Sequence, residues 1–369
     1  MELKRLGDYV KIQTGKLDAN ASSENGKYPF FTCSVNNLWI DNYAYDCECV
    51  LIAGNGDLNV KYYEGKFNAY QRTYVVESID KTILDIRYLY YFMNKYIDVL
   101  RNNAIGGVIK YIKMGDLTEV IIPLPPLKTQ KKIVEVLDKA QGLIDVRKEQ
   151  IRLIDELIQS VFYEMFGDPV TNSKGWEVCK MASLGSFKNG MNFSSSDSGV
   201  TLNCLGVGDF KSLYKINQTE VLPRVSLNQI PSEGYMLKNK DIVFVRSNGN
   251  KALVGRSVIV YPNDNKTTFS GFCIRLRVES DLAHEEFLIH LLRSNSVKQK
   301  LLSNGRGANI SNLNQKMLSD IDIVLPPKEL QMKFYKIVEK IEIQKSNMEL
   351  SLAEHTMSFQ SLMKKFFQY

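Results

Sequence analysis

The chain has 369 residues, with 47 Lys and Arg against 41 Asp and Glu, a formal net charge of +6 and 44% hydrophobic residues. That length exceeds one typical domain and suits two, plus connecting elements. No apolar run reaches the about 18 residues that a membrane-spanning helix needs, and the mild positive surplus permits a polyanion partner without demanding one.

The first residues, Met1-Glu2-Leu3-Lys4-Arg5-Leu6-Gly7-Asp8, lack the apolar core of a signal peptide, so a cytoplasmic protein is expected. Cys33, Cys47, Cys49, Cys179, Cys204 and Cys273 form no C-x-x-C pair, and His284, His290 and His355 are the histidines. Reduced thiols and no metal site are expected from that spacing.

Up to Pro126 the chain reads as strands with a helix near the end. Cys49-Val50-Leu51-Ile52-Ala53 is a short apolar run closed by the turn signal Gly54-Asn55-Gly56-Asp57. Val60-Lys61-Tyr62-Tyr63 and Thr73-Tyr74-Val75-Val76 have the β-branched and aromatic content of strands. Glu64-Gly65-Lys66-Phe67-Asn68 reads as a turn between them. Leu89, Phe92, Met93, Tyr96 and Leu100 recur at helical spacing. Gly106 to Lys110 is a glycine loop, and Val120-Ile121-Ile122 a strand.

From about Leu127 to Phe166 the apolar positions are Ile133, Leu137, Ala140, Ile144, Ile151, Ile154, Ile158, Val161 and Met165. Their gaps alternate between four and three, with Arg147 at a skipped position, which is the seam of a coiled coil. Proline fits only the first turn of a helix, so Leu124-Pro125-Pro126 marks the start. Gly167-Asp168-Pro169 marks the stop.

The plan then recurs. Leu184-Gly185-Ser186-Phe187 echoes Leu6-Gly7-Asp8-Tyr9, and the run from Asp241 to Gly249 echoes the one ending at Gly54-Asn55-Gly56. Phe287 to Leu292 echoes the helix near Leu89, Gly305 to Ile310 the glycine loop, and Ile321 to Val324 the strand before the prolines. Leu325-Pro326-Pro327 opens a second long helix, with Phe334, Val338, Ile341, Met348, Leu352, Phe359, Leu362 and Phe366 on its seam, each 201 positions after its counterpart. The expected order is a globule (1–126), a helix (127–167), a globule (168–325) and a helix (326–369). Helices matched in register point to one common task. Globules that share a plan but differ in their loops point to binding of two different targets.

Several motifs together carry a family resemblance. They are Ile122-Pro123-Leu124-Pro125-Pro126-Leu127 with Gln130-Lys131-Lys132-Ile133, and the twin Val324-Leu325-Pro326-Pro327 with Gln331. Phe162-Tyr163-Glu164-Met165-Phe166-Gly167-Asp168-Pro169 before Gly175-Trp176-Glu177 is another, as is Val50-Leu51-Ile52-Ala53-Gly54-Asn55-Gly56 leading to the stretch from Tyr63 to Thr73. Over its whole length the chain resembles the specificity subunit of a type I restriction-modification system. The resemblance implies an α+β fold of two α/β target recognition domains, joined by two long helices that pair as an antiparallel coiled coil. It implies double-stranded DNA, two modification (methyltransferase) subunits and restriction (motor-nuclease) subunits as partners. S-adenosylmethionine, ATP and Mg²⁺ would sit on those subunits, leaving this chain non-catalytic and without a cofactor. A helix of about 40 residues spans about 60 Å, so a bipartite target is expected, and two differing globules make it asymmetric.

Bases are read by Arg, Lys, Asn and Gln, and phosphates are held by Lys, Arg, Ser, Thr and backbone amides. In the first globule the candidates are Asn55, Lys61, Tyr70, Gln71 and Arg72, with Lys110 and Lys113 toward phosphate. In the second they are Arg246, Ser247, Asn248, Lys251 and Arg256, with Arg306 and Asn309 from the glycine loop. Leu143, Leu153, Leu157, Leu330, Ile337 and Phe367 lie off the seam and are candidates for docking partner helices.

Other readings stay in view. Asp57 followed by Glu64-x-Lys66 resembles the acidic-acidic-lysine pattern of metal-dependent nucleases, but as a hairpin turn it lacks the strand such sites use. No glycine-rich nucleotide loop and no Asn/Asp-Pro-Pro-Tyr/Phe motif suggests a methyltransferase. A protein-binding scaffold, or the specificity protein of a related system with fused modification and cleavage, would share the duplicated plan.

Overall fold

The computed structural model describes residues 2–106, 109–194, 196–210, 214–303 and 312–368. The chain divides into two compact units, one of Met1–Glu149 with Glu349–Tyr369 and one of Gln150–Met348. Both long helices are therefore shared between units.

The first unit contains β1 (Leu3–Arg5), β2 (Val10–Thr14), β3 (Tyr28–Phe31), β4 (Leu38–Ile40), β5 (Tyr45–Ala53), β6 (Val60–Ala69) and β7 (Thr73–Ser78). These are followed by α1 (Ile86–Asn103), α2 (Met114–Thr118), β8 (Ile121–Pro123) and the start of α3 (Leu127–Phe166). A six-stranded sheet runs in the order β2-β7-β5-β6-β3-β4, and β1 pairs with β8 beside it. Tyr88, Leu89, Phe92 and Met93 of α1 pack on Val50, Ile52 and Val76 of the sheet. Ile133, Val134 and Leu137 of α3 and Met363 and Phe367 join the same core.

One local expectation fails here. Glu64-Gly65-Lys66 is not a turn but lies inside β6, where the three residues pair with Glu48, Cys47 and Asp46 of β5. Gly65 adopts φ +125, a conformation that glycine tolerates within the ladder. Pairing along a nine-residue neighbour outweighs the local turn signal. Asp57 still does not join Glu64: it lies in the β5–β6 turn facing Arg101, whereas Glu64 sits mid-strand.

The second unit continues with β9 (Glu177–Lys180), β10 (Gly185–Asn189), β11 (Val200–Leu205), β12 (Lys215–Ile216), β13 (Arg224–Leu227) and β14 (Asp241–Val245). Then come β15 (Ser257–Val260), β16 (Thr267–Phe269), β17 (Cys273–Val278), α4 (Glu285–Arg293) and α5 (Asn295–Ser303). Last are α6 (Gln315–Ser319), β18 (Asp322–Leu325) and α7 (Lys328–Phe366). Its five-stranded sheet, β10-β17-β14-β15-β12, begins with the same three-strand motif as β2-β7-β5, and a three-stranded sheet, β13-β11-β16, lies apart from it.

A buried glutamine fastens each long helix to its globule. The side-chain amide of Gln130 donates to Ile83 O (2.7 Å) and Pro125 O (2.8 Å), while its Oε1 accepts from Asp85 N at the start of α1 (2.9 Å). Gln331 repeats this with Leu282 O (3.0 Å), Pro326 O (2.8 Å) and His284 N at the start of α4 (2.7 Å). Both side chains are fully enclosed, and these bonds occupy both amide hydrogens and the carbonyl.

Within the second unit the end of α3 runs antiparallel to the start of α7: Phe166 meets Phe334, and Asp155 pairs with Lys345 at 2.6 Å. The seam departs from the expected one toward each helix end. Phe162 and Phe166 are buried, not Val161 and Met165, and Phe367 is buried more deeply than Phe366. A helix of 3.6 residues per turn drifts about 20° per heptad against a 3.5 repeat, which is about one residue over a helix of this length. The two copies shift alike. Phe166 packs on Phe287 of α4 in one unit, and Phe367 on Tyr88 of α1 in the other.

Candidate nucleic-acid interface

Each unit ends its central strand in a tip held by backbone hydrogen bonds. In the first, Gly54 N donates to Arg72 O (2.8 Å), Ile112 N to Gly54 O (3.0 Å) and Gly56 N to Lys110 O (2.9 Å). Gly15 N reaches Thr73 O (3.1 Å), and Gln71 N reaches Leu17 O (2.9 Å). Four segments distant in sequence thus meet at one place, bringing Asn55, Tyr70, Gln71, Arg72 and Lys110 together, with Lys113 next along the chain. Gln71, Arg72, Lys110 and Lys113 are exposed, and Asn55 and Tyr70 are half-buried. Gln71 Nε2 donates to Asp18 Oδ1 at 2.6 Å. Thr14, Gly54, Gln71, Arg72, Tyr74 and Ile112 line an open cleft of about 300 Å³ beside them.

Lys61 does not belong to this tip. Its ammonium donates to Ser34 O (2.7 Å) and Asn37 Oδ1 (2.8 Å), so it steadies the loop before β4. Burial holds its pKa below the usual lysine value.

The second tip uses the same bonds on different residues. Arg246 N donates to Phe272 O (2.8 Å), Leu313 N to Arg246 O (2.8 Å), Gly190 N to Cys273 O (3.0 Å) and Gly271 N to Met191 O (2.8 Å). Ser247 bridges Asn312 as Asn55 bridges Tyr111. Gly15 and Gly190 both occupy places where an added Cβ would lie 2.1 Å from a carbonyl oxygen, of Ala69 and of Ser270. No other residue fits there without moving a strand. Arg246, Ser247 and Asn248 are half-buried at this tip, and Lys251 is exposed on the following turn. Arg256 is half-buried where β15 begins, its carbonyl accepting from Val245 N at 2.8 Å. Arg306 and Asn309 lie outside the described residues.

This correspondence places Ser270-Gly271-Phe272, which is absent from the sequence-derived candidates, where the first tip has Tyr70-Gln71-Arg72. Counting back from β17 as from β7 would have found it. Phe272 is 59% exposed. The arginine has changed sides, since the guanidinium of Arg246 comes from the β14 exit and donates to Gly271 O at 3.4 Å.

Two tips built on one frame and presenting different donors suit recognition of two different polar surfaces. The family described as "Type I restriction modification DNA specificity domain" matches residues 1–156 and 173–352. The chain belongs to this family.

The EcoDI specificity subunit of a type I restriction enzyme from Escherichia coli is 40% identical over 154 residues, which is 42% of this chain and 34% of that one. The StySPI subunit from Salmonella potsdam is 26% identical over 67% of this chain and 56% of its own length. This chain thus spans from a third to just over half of these two relatives. The MjaVIII subunit from Methanocaldococcus jannaschii aligns over 89% of this chain and 83% of its own, at 25% identity. The fold is shared with the type I restriction-modification S subunit from M. genitalium, with a TM-score of 0.60 at 17% identity, covering 100% of this chain and 96% of that one.

The off-seam positions of the long helices separate into two groups. Leu143, Leu153 and Leu157 of α3 are 54, 47 and 48% exposed. Phe367, expected on a docking face, is instead 2% exposed and fills the first core against Tyr88 and Phe92. Leu330 and Ile337 are half-buried against the second core and face their own unit. Among the described residues no helix is long and apolar enough to cross a membrane.

Proposed function

We propose that this chain is the DNA-reading subunit of a type I restriction-modification complex. Residues 1–126 and 168–325 act as target recognition domains, and residues 127–167 and 326–369 as the spacer that sets the gap between half-sites. The observation that carries the reading is the pair of tips: one hydrogen-bonded frame presents Asn55, Gln71 and Arg72 in one unit and Arg246, Ser247 and Asn248 in the other. Amide and guanidinium groups on rigid turns are the donors that read base edges, and Lys110, Lys113 and Lys251 beside them suit phosphate. Half-sites read by different side chains would differ in sequence.

Modification subunits holding S-adenosylmethionine dock on exposed leucines of α3, Leu143 in the first unit and Leu153 and Leu157 in the second, in the cytoplasm. Restriction subunits, which use ATP and Mg²⁺, complete the assembly. Methyl transfer and cleavage belong to those partners. The test is to reconstitute the chain with its modification subunits and S-adenosylmethionine and to map the methylated sites. A bipartite, asymmetric motif is expected, with affinity that falls steeply as salt rises. Methylation without sequence preference, or turnover by the isolated chain, would overturn the reading.

A further inference from the structure

We infer that Phe272 is a base-reading residue of the second tip, making an apolar contact to the 5-methyl group of a thymine where the first tip presents the guanidinium of Arg72. The inference rests on the DNA-reading function proposed above and names how one of its two sites selects.

Three observations converge on this side chain. Its place is fixed by the frame: Phe272 O accepts from Arg246 N as Arg72 O accepts from Gly54 N, both at 2.8 Å. The next residue starts the matching strand in each unit, Cys273 opposite Val245 and Thr73 opposite Ala53. Phe272 is therefore the positional equivalent of a residue whose chemistry suits base reading. Second, the ring is held out and not tucked in. It is 59% exposed although it directly precedes a strand whose first four residues are buried. Phe272 N donates to Ser270 Oγ at 3.3 Å, which sets the local turn.

Third, its neighbours at the tip are polar, with the guanidinium of Arg246 donating to Gly271 O at 3.4 Å. Arg246 and Ser247 give their backbone amides to its carbonyl, and Asn248 follows. Gly271 beside it has no side chain, and a Cβ there would lie 2.1 Å from Asn192 Oδ1. An exposed ring isolated on a surface needs no explanation. An exposed ring beside Arg246, in the place an arginine takes in the other copy, fits one feature of a base pair. In the major groove thymine alone offers a methyl, and Phe is among the side chains that contact it.

The experiment uses the full chain assembled with its modification subunits. The methylated motif of the wild type is mapped first, and oligonucleotides of that motif are made with each second-half thymine replaced in turn by deoxyuridine. One such replacement is expected to weaken wild-type binding on the order of tenfold. Phe272→Ala should weaken binding to the unmodified oligonucleotide by a similar factor. Combined with the same deoxyuridine it should add nothing further, because both remove one contact. Phe272→Leu keeps an apolar contact and should retain most of the affinity. The first half-site should be read unchanged by both variants, which shows that they are folded.

The inference is overturned if Phe272→Ala selects its second half-site as the wild type does. It is also overturned if every deoxyuridine is neutral, or if the second half-site contains no A·T pair. A wild-type complex without sequence-selective methylation would sink the parent reading instead, so the two failures are distinguishable.

Discussion

The glutamine clasps and the tips are both duplicated, yet they have fared differently. Gln130 and Gln331 make the same three bonds to equivalent partners, one copy in each unit. At the tips four backbone bonds recur, but the side chains they hold do not: Tyr70-Gln71-Arg72 in one unit is Ser270-Gly271-Phe272 in the other. A buried amide with both hydrogens and its carbonyl engaged has few substitutes, because each unmet partner is costly. An exposed tip side chain such as Arg72 or Phe272 leaves few buried partners behind when it is replaced. The backbone frame recurs, and the side chains it presents do not.

That contrast can be broken first at the helix ends. Phe367→Ala should cost about 3–5 kcal/mol by emptying a buried aromatic site, and Phe166→Ala about the same in the second unit. Denaturant titration measures both. A loss of only a few tenths for Phe367 would return it to the docking surface. Next, Gln130→Ala or Gln331→Ala should cost at least about 2 kcal/mol, since each strands one N–H and two carbonyls in the interior. Nearly equal losses from the two clasps would sharpen the claim that they are one device used twice.

The tip should respond in affinity and not in stability. Arg72→Ala is expected to remove about 1–3 kcal/mol of discrimination at one position of the first half-site and to leave the thermal midpoint in place. Competition binding against single-base variants reads this directly, and an equal loss at both half-sites would refute modular reading.

Acid should separate the two units. His290 of α4 lies against the rings of Tyr214 and Phe334, and its pKa is lowered from 6.5 to about 3, first by burial and then by the nearby cations Arg293 and Lys215. The unfolded chain therefore takes up this proton before the folded one does. The stability it reflects is complete above pH 6.5 and is lost as the pH falls toward 3, by at most about 1.4 kcal/mol per pH unit. His290→Gln should flatten that slope, as followed by urea titrations between pH 7 and 5. Leu153→Ser with Leu157→Ser should also change stability little, within about 0.5 kcal/mol per site because both are exposed. Assembly with modification subunits should nonetheless weaken, as measured by calorimetry.

The sequence pattern was a good guide wherever one period or one stop signal ruled. The long helices, their proline starts and the duplication were all legible, and so was the nearness of Asn55 to Tyr70, Gln71 and Arg72. It misled where long-range pairing ruled. Glu64-Gly65-Lys66 has the composition of a turn, but β5 supplies partners for each residue. Lys61 looked free until Ser34 and Asn37 took its hydrogens. Phe367 was placed one position off because a heptad read on paper does not drift, whereas a helix does. Phe272 carries no polar group to mark it as a reader, and its equivalence to Arg72 comes from its place just before β17 and from the bond its carbonyl accepts from Arg246 N.

The division of the long helices also bears on how the molecule is made. The first unit draws on Glu349–Tyr369, so its core lacks Met363 and Phe367 until that segment has been synthesised. The second unit is continuous from Gln150 to Met348. Domains commonly fold in the order in which they leave the ribosome, but here the later one can finish first. Nascent chains stalled beyond Met348 should resist protease across the second unit while the first is still cut, and the reverse order of protection would contradict this. Growing chains would meanwhile expose the apolar face around Tyr88 and Phe92, a period when a chaperone or a waiting partner helix has most to gain.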